Sequence, residues 1–331
     1  MAYGGTTAVS IPTWSASRDQ QLHTCERRYF LQYLAKGRIN SDDPFQRRVG
    51  LFKKLKTVAM WQGECFHSVI ANYLGSLRDG QKLSEKILLQ QLRDRVQRDW
   101  TFSVSFKYRA QPWQIDKQGV ALLEHEYGEM PADVGIESVY LKTAGMVQRF
   151  MAWATGEADL PAKISSADRV WIEPPGFGPD APGFIEDEIQ VLTKVDFALE
   201  WVGERFMIYD WKTGVAPGSG NGFLSQNELQ IAIYQLWPNR SMEIPLERVA
   251  SSLVYFGGEK AEERRFVMDD ENVGKVLLAI QDSIRLTQRL ERYVMEGEMT
   301  LSDFGYASSF EICRTCVFKR LCRESLQKKL S

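Results

Sequence analysis

Nothing in these 331 residues approaches the roughly 18 consecutive apolar residues of a membrane-spanning helix, so no bilayer span is expected. Charge of one sign is missing too. With 41 basic and 43 acidic side chains the net charge is −2, which excludes attraction of a polyanion by bulk charge and leaves only local basic patches. No G-x-x-x-x-G-K-[ST] occurs, which excludes a built-in P-loop motor. The opening MAYGGTTAVSIPTWS lacks a basic segment followed by an apolar one, so a secretory leader is not expected and a cytoplasmic setting is. Cysteine is sparse, five in all. In a reducing compartment that argues against a disulfide framework and leaves a metal or cluster as the better use of the thiols.

What is present is ordinary globular material, 44% hydrophobic and 25% charged, enough for a sizeable core in one large domain or two smaller ones. Residues 15 to 36, SASRDQQLHTCERRYFLQYLAK, read as one helix capped by Ser17, with Leu22, Cys25, Tyr29 and Tyr33 at helical spacing. A second helix is expected over 57–78, carrying GECFH, Gly63 to His67. Charged amphipathic segments from 80 to 165 read as a helical insertion in a single domain spanning 1–331. The pattern then turns β-rich: DRVWIEPP, EIQVLTKVDFALEW and ERFMIYDWKTG predict three strands in meander order, punctuated by GFGPDAPG and VGE. After a loop at APGSGNG, LSQNELQIAIYQLWPN reads as a helix with Leu229, Ile233 and Leu236 on one face. RVASSLVYFGG is a further strand, and 271–297 a long amphipathic helix. The fold class is therefore α/β.

The chemistry concentrates where the strands end. Asp196 in TKVDF and Asp210 in IYDWKTG fall on adjacent antiparallel strands joined near Val202 to Glu204, so both carboxylates can reach one ion. Hard divalent cations prefer such oxygen ligands. Lys212 shares a strand face with Asp210, because side chains alternate with period two. An ammonium there can orient an attacking water and offset charge growing on a phosphoryl group.

With His67 in GECFH, Asp196 in TKVDF, Asp210 and Lys212 in IYDWKTG, and Gln230 and Tyr234 in QIAIY, the chain resembles the PD-(D/E)XK nuclease superfamily in its RecB-like branch. The resemblance implies a restriction-endonuclease-like core, a mixed central sheet flanked by helices. It also implies His67, Asp196 and Asp210 as ligands of Mg²⁺ or Mn²⁺, Lys212 as the catalytic lysine, and Gln230 and Tyr234 as supporting residues. Glu173 in VWIEPP matches a glutamate of the preceding strand. The implied activity is metal-dependent cleavage of DNA phosphodiesters, as an exonuclease on single-stranded or end-accessible DNA, in repair, recombination or defence. A partner helicase or a defence-complex subunit would supply any motor. The alternative is a catalytically inactive iron-sulfur scaffold subunit that binds DNA.

Cys313, Cys316 and Cys322 follow C-x2-C-x5-C, one thiolate short of a four-ligand site, and Cys25 is the candidate fourth. Spacing alone leaves Zn²⁺ and an iron-sulfur cluster both open. One early and three late cysteines resemble the iron-sulfur RecB-like nucleases of the AddB and CRISPR-associated Cas kind. That resemblance implies a 4Fe-4S cluster on Cys25, Cys313, Cys316 and Cys322, joining the terminal segments 1–36 and 305–331. Glu26 departs from it, since a proline usually follows the first cysteine. Cys65 reads as a small buried residue, and His23 and His125 match nothing. Arg27, Arg28, Tyr29, Lys319 and Arg320 are candidates for lining the path of a single strand by charge and stacking.

Overall fold

The computed structural model describes residues 13–175, 181–218 and 226–330; the loop signals GFGPDAPG and APGSGNG fall largely outside them. Its strands are β1 (Thr13–Trp14), β2 (Leu55–Lys56), β3 (Ala121–Leu122), β4 (Arg169–Ile172), β5 (Gly183–Glu186), β6 (Ile189–Leu192), β7 (Phe197–Trp201), β8 (Arg205–Lys212), β9 (Val249–Tyr255) and β10 (Glu262–Phe266). Five form one mixed sheet in the order β10-β9-β8-β7-β4, with β8 and β9 its parallel pair. The expected meander is there as β4, β7 and β8. EIQVLTKVDFALEW, however, is two strands in two sheets: β6 pairs with β5 and β1 in a smaller sheet, and β7 alone joins the large one. Asp196 consequently sits one residue before β7 and not within it.

The N-terminal helix is also divided. Helix α1 (Ala16–Thr24) is capped by Ser15, whose side chain accepts from the Arg18 N–H, so the cap lies two residues earlier than Ser17. Cys25 then adopts an extended conformation, and its Sγ caps α2 (Glu26–Tyr29) by accepting from Arg28 N at 3.4 Å. Cys25 thus marks a break between helices instead of lying on one. Next come α3 (Pro44–Phe52) and α4 (Val58–Arg78), the second started by the Thr57 cap on Met60 N and followed by Gly80 at φ 72°.

The expected insertion holds α5 (Glu85–Val104), α6 (Leu123–Tyr127), α7 (Ile136–Thr155) and α8 (Leu160–Ser166). It also contains β3, which pairs in parallel with β2 from before it, so the segment is stitched into the body of the protein. Beyond the sheet core lie α9 (Gln226–Met242), α10 (Asp270–Met295), α11 (Phe310–Arg314) and α12 (Lys319–Leu330). Helix α9 makes the β8-to-β9 crossover that a parallel pair requires. Its middle is buried on every side, Ile231, Ala232, Ile233, Leu236 and Trp237 together with the polar Gln235, where one apolar face was expected.

Alternation along β8 sorts the two faces of the sheet. Tyr209 and Trp211 enter an aromatic core with Phe66 of α4, Phe150 and Trp153 of α7, and Phe256. Phe206 and Ile208 face the opposite core with α9 and α10. By the period of two, Asp210 and Lys212 share the α9 side. A third core ties the ends of the chain together: Phe30, Leu31, Val49 and Phe52 pack with Tyr108 and Leu123 of the insertion and with Phe304, Val317, Phe318 and Leu321.

Gly257 secures the end of β8. Its N–H donates to Gly214 O at 3.0 Å, and a Cβ there would stand 2.5 Å from Gly214 C and 2.6 Å from Thr213 O. Both obstacles are backbone. Gly214 itself has open space, so glycine is demanded across the sheet and not at the strand end. Gly257→Ala is expected to cost about 1–3 kcal/mol in urea unfolding; an unchanged midpoint would show that the 213–214 turn can retreat without loss.

Candidate active site

The carboxyl end of β8 opens on a cavity of about 630 Å³ whose walls include His67, Glu173, Asp196, Asp210, Lys212 and Gln230. His67 comes from the middle of α4, and its Nδ1 lies 3.3 Å from Asp196 Oδ1 and 3.4 Å from Glu173 Oε1. One ligand atom from each of His67, Glu173 and Asp196 falls within 4.8 Å of the others, close enough to share an ion. Glu173 reaches this place because the chain leaves β4 with φ 38°, a left-handed value uncommon for glutamate, while its N–H donates to Asp196 O at 2.8 Å. Backbone held in so sparsely populated a region costs about 1–3 kcal/mol and tends to occur at functional sites.

Asp210 faces the same cavity but lies outside that compact trio. Its carboxylate is 3% exposed, and Oδ2 accepts no hydrogen bond among the described residues. What faces it is charge, Lys212 Nζ at 2.6 Å. Lys212 in turn donates to Gln230 Oε1 at 2.8 Å, Gln230 Nε2 donates to the Tyr234 hydroxyl at 2.7 Å, and that hydroxyl donates to Lys194 O at 2.7 Å. The chain fixes the lysine and leaves each member one role. Asp196 is held from behind, its Oδ2 accepting from Trp211 N at 2.7 Å.

Crowded acids in a buried place perturb one another. Burial, and next the charge of Asp196, pushes the Asp210 carboxyl up to about 6 against the pull of Lys212. Burial alone would lower the basicity of His67, but Asp196 and then Glu173 outweigh it and raise the imidazole to about 10. Tyr234 is held well above its ordinary value by burial and by the two aspartates, so it remains a donor. The buried Asp210 carboxylate faced by the fixed Lys212 ammonium, with three further carboxylate or imidazole donors within reach, makes a donor set that suits a hard divalent cation.

Of the four cysteines named from spacing, Cys25 and Cys322 lie near enough to Cys316 or Cys313 to feel their charge, but among the described residues no three cysteines bring their sulfurs together as His67, Glu173 and Asp196 bring their ligand atoms. Burial raises the Cys322 thiol; Arg27 opposes this, and the nearby Cys25 and Cys313 add to it. Cys316 is pushed up to about 11 by burial, with Cys322 and Cys25 contributing. Glu26, the departure from the expected proline, accepts from Gly305 N at 2.8 Å and so ties α2 to the tail. Cys65 is fully buried, as expected.

The proposed strand-lining residues beside the cysteines do not all face solvent. Arg27, Tyr29 and Lys319 are buried: Arg27 donates to Leu301 O and Ser325 Oγ, Tyr29 OH accepts from Arg18, and Lys319 pairs with Glu129. Arg28 and Arg320 alone of that group retain exposure. Three charged lining residues went unmarked in the sequence: Glu64, Lys194 and Arg95. Glu64 and Lys194 lie inside the motifs GECFH and TKVDF, whereas Arg95 sits in the insertion, where no local pattern marks it.

No helix among the described residues is long and apolar enough to cross a membrane. No curated protein matches the chain. Among solved structures, one titled "Crystal structure of SSO0001" is 15% identical, covering 60% of this chain and 77% of its own, with a TM-score of 0.28, a likeness too slight to bear on the fold. The sequence profile of one family, by contrast, matches residues 13–323, from β1 through the last of the three clustered cysteines. With that match across most of its length, the chain belongs to the PD-(D/E)XK nuclease superfamily.

Proposed function

We propose that the protein is a divalent-metal-dependent deoxyribonuclease of the RecB-like branch, acting as an exonuclease on single-stranded or end-accessible DNA. The observation that carries this is the convergence of His67, Glu173 and Asp196 beside the Asp210–Lys212 pair in one cavity. His67, Asp196 and Asp210, with Glu173 alongside, would hold Mg²⁺ or Mn²⁺, which when bound would supply Lewis acidity at the scissile phosphorus. Lys212, fixed by Gln230, is placed to orient the attacking water and to balance charge growing on the phosphoryl oxygens. Tyr234 keeps Gln230 in register.

Labelled single-stranded DNA with 5′ and 3′ labels, incubated with Mg²⁺ or Mn²⁺, tests the reading. Wild-type protein is expected to release products and Lys212→Ala to lose cleavage by roughly 10²-fold or more. Cleavage persisting unchanged in Lys212→Ala would sink the site assignment. Glu173→Gln is expected to weaken Mn²⁺ binding about tenfold or more in calorimetry; unchanged affinity would remove Glu173 from the ligand set.

The C-x2-C-x5-C spacing of Cys313, Cys316 and Cys322, with Cys25 close enough to Cys316 and Cys322 to feel their charge, supports a 4Fe-4S cluster on these four residues, with zinc the competing occupant. Protein prepared without oxygen is expected to be brown and to carry iron and sulfide that Cys313→Ser loses. Stoichiometric zinc instead would overturn the cluster. Closing a loop of almost 300 residues, from Cys25 to Cys313, suits a structural role.

A further inference from the structure

We infer that Arg95, on the inserted helix α5, is a substrate-binding residue that grips a phosphate of the nucleic-acid strand in the active-site cavity. The inference rests on the nuclease reading and deepens it. Arg95 lines the same cavity as His67, Asp210 and Lys212, although it comes from a different helix, in the inserted segment. Its side chain is 24% exposed and is steered by Asp99 four residues on, with Nε 3.5 Å from Asp99 Oδ2. Asp99 is itself buried and satisfied elsewhere: Trp61 Nε1 donates to Oδ2 at 3.0 Å, and Arg98 donates twice to Oδ1, at 3.0 and 2.8 Å. The carboxylate therefore positions Arg95 without consuming it. Among the described residues Arg95 makes no hydrogen bond, and its buried Nε has only the ion-pair contact with Asp99.

The other cations of the cavity are differently disposed. Lys212 is engaged by Asp210 and Gln230, Lys194 stands exposed at the cavity wall, and Lys56, outside the lining, is engaged by Glu64. A strand entering a cavity walled by Glu64, Glu173, Asp196 and Asp210 needs a cation with open donors. A guanidinium held at its stem and open at its fork matches two phosphate oxygens at once. This also gives the insertion a task, since α5 packs on α7 and α4 and carries its arginine over the site.

The phosphate could be an internal diester or a terminal monophosphate, and the test separates them. Fluorescence anisotropy is read in Ca²⁺ with strands bearing 5′-phosphate, 5′-hydroxyl or 3′-phosphate, comparing wild type with Arg95→Gln and Arg95→Lys. Cleavage is then followed in Mg²⁺. Arg95→Gln is expected to weaken binding and raise KM about tenfold, to leave kcat within about threefold, and to reduce the salt slope of binding by about one. Arg95→Lys recovers part of the loss. A loss confined to strands with one phosphorylated end assigns the terminal phosphate, and a loss on all strands assigns the diester. Because Asp99 keeps Trp61 and Arg98, both variants are expected to melt with wild type. Binding and KM unchanged in Arg95→Gln, or kcat falling alone, would overturn the inference. A wild type that binds DNA but never cleaves it refutes the nuclease reading while the binding arm still judges Arg95; a wild type that does neither refutes both.

Discussion

Asp210→Asn is expected to abolish metal-dependent cleavage, by roughly 10³-fold or more, and at the same time to stabilise the metal-free protein. The two effects have one cause. Asp210 is 3% exposed, and burial followed by the charge of Asp196 lifts its carboxyl from 3.8 to about 6 against the pull of Lys212. A carboxylate with a raised folded-state pKa binds more protons folded than unfolded between those two values. Stability therefore falls as pH rises through that window, and the penalty is fully present above about 6. Asparagine is neutral throughout and removes it. The gain is on the order of 1–3 kcal/mol, reduced by whatever Lys212 loses with its counter-charge. Urea unfolding in EDTA at pH 5 and pH 7.5 checks it: the variant should gain at the higher pH and much less at the lower. A variant less stable than wild type at pH 7.5 would mean that the Lys212 pair outweighs the burial of Asp210.

Phe150→Ala carries the largest expected loss of stability. Its ring is fully buried, with centroids 5.4 Å from Trp211, 5.5 Å from Phe256, 6.0 Å from Trp153 and 6.2 Å from Tyr73. Phe66 is a fifth neighbour at 6.3 Å, and five rings cannot all collapse into the space one leaves, so the cost should fall at about 3–5 kcal/mol. The site should feel it as well. Trp211 lies against Phe150 and its backbone N–H holds Asp196, so the surviving folded protein should need more metal for half-maximal cleavage. Phe150→Leu should return much of both. Equal urea midpoints for wild type and Phe150→Ala would show that α7 settles inward to fill the gap, and an unchanged metal requirement would uncouple the aromatic core from Asp196.

Much of the site was legible because its signals are local. Asp210 and Lys212 share a face by the period of a strand, while His67 in GECFH and Gln230 and Tyr234 in QIAIY are legible through the family resemblance of their motifs. The break ahead of Asp196 was hidden for a physical reason. Ile189, Val191, Val195, Phe197 and Leu199 keep one unbroken alternation while the chain passes from the small sheet to the large one. Periodicity reports which face is buried, not which sheet buries it. Cys25 was placed on a helix because its neighbours keep helical spacing across the kink. Arg27 and Lys319 read as a basic surface because charge in a sequence does not reveal the carbonyls and carboxylates that enclose it. Arg95 had no local signal at all, since its relation to the acids exists only once α5 is laid over α4.

The third core bears on how the protein is made. Residues from 30 to 55, from 102 to 123 and from 304 to 321 share it, so its first third cannot be covered until almost the whole chain has left the ribosome. During synthesis Phe30, Leu31 and Phe52 have no final partner in the tail, and a nascent chain in that condition is open to proteases and to chaperones that bind apolar segments. Stalled chains ending before residue 304 should therefore be cut first between α2 and α3, well before the sheet that bears Asp210 and Lys212.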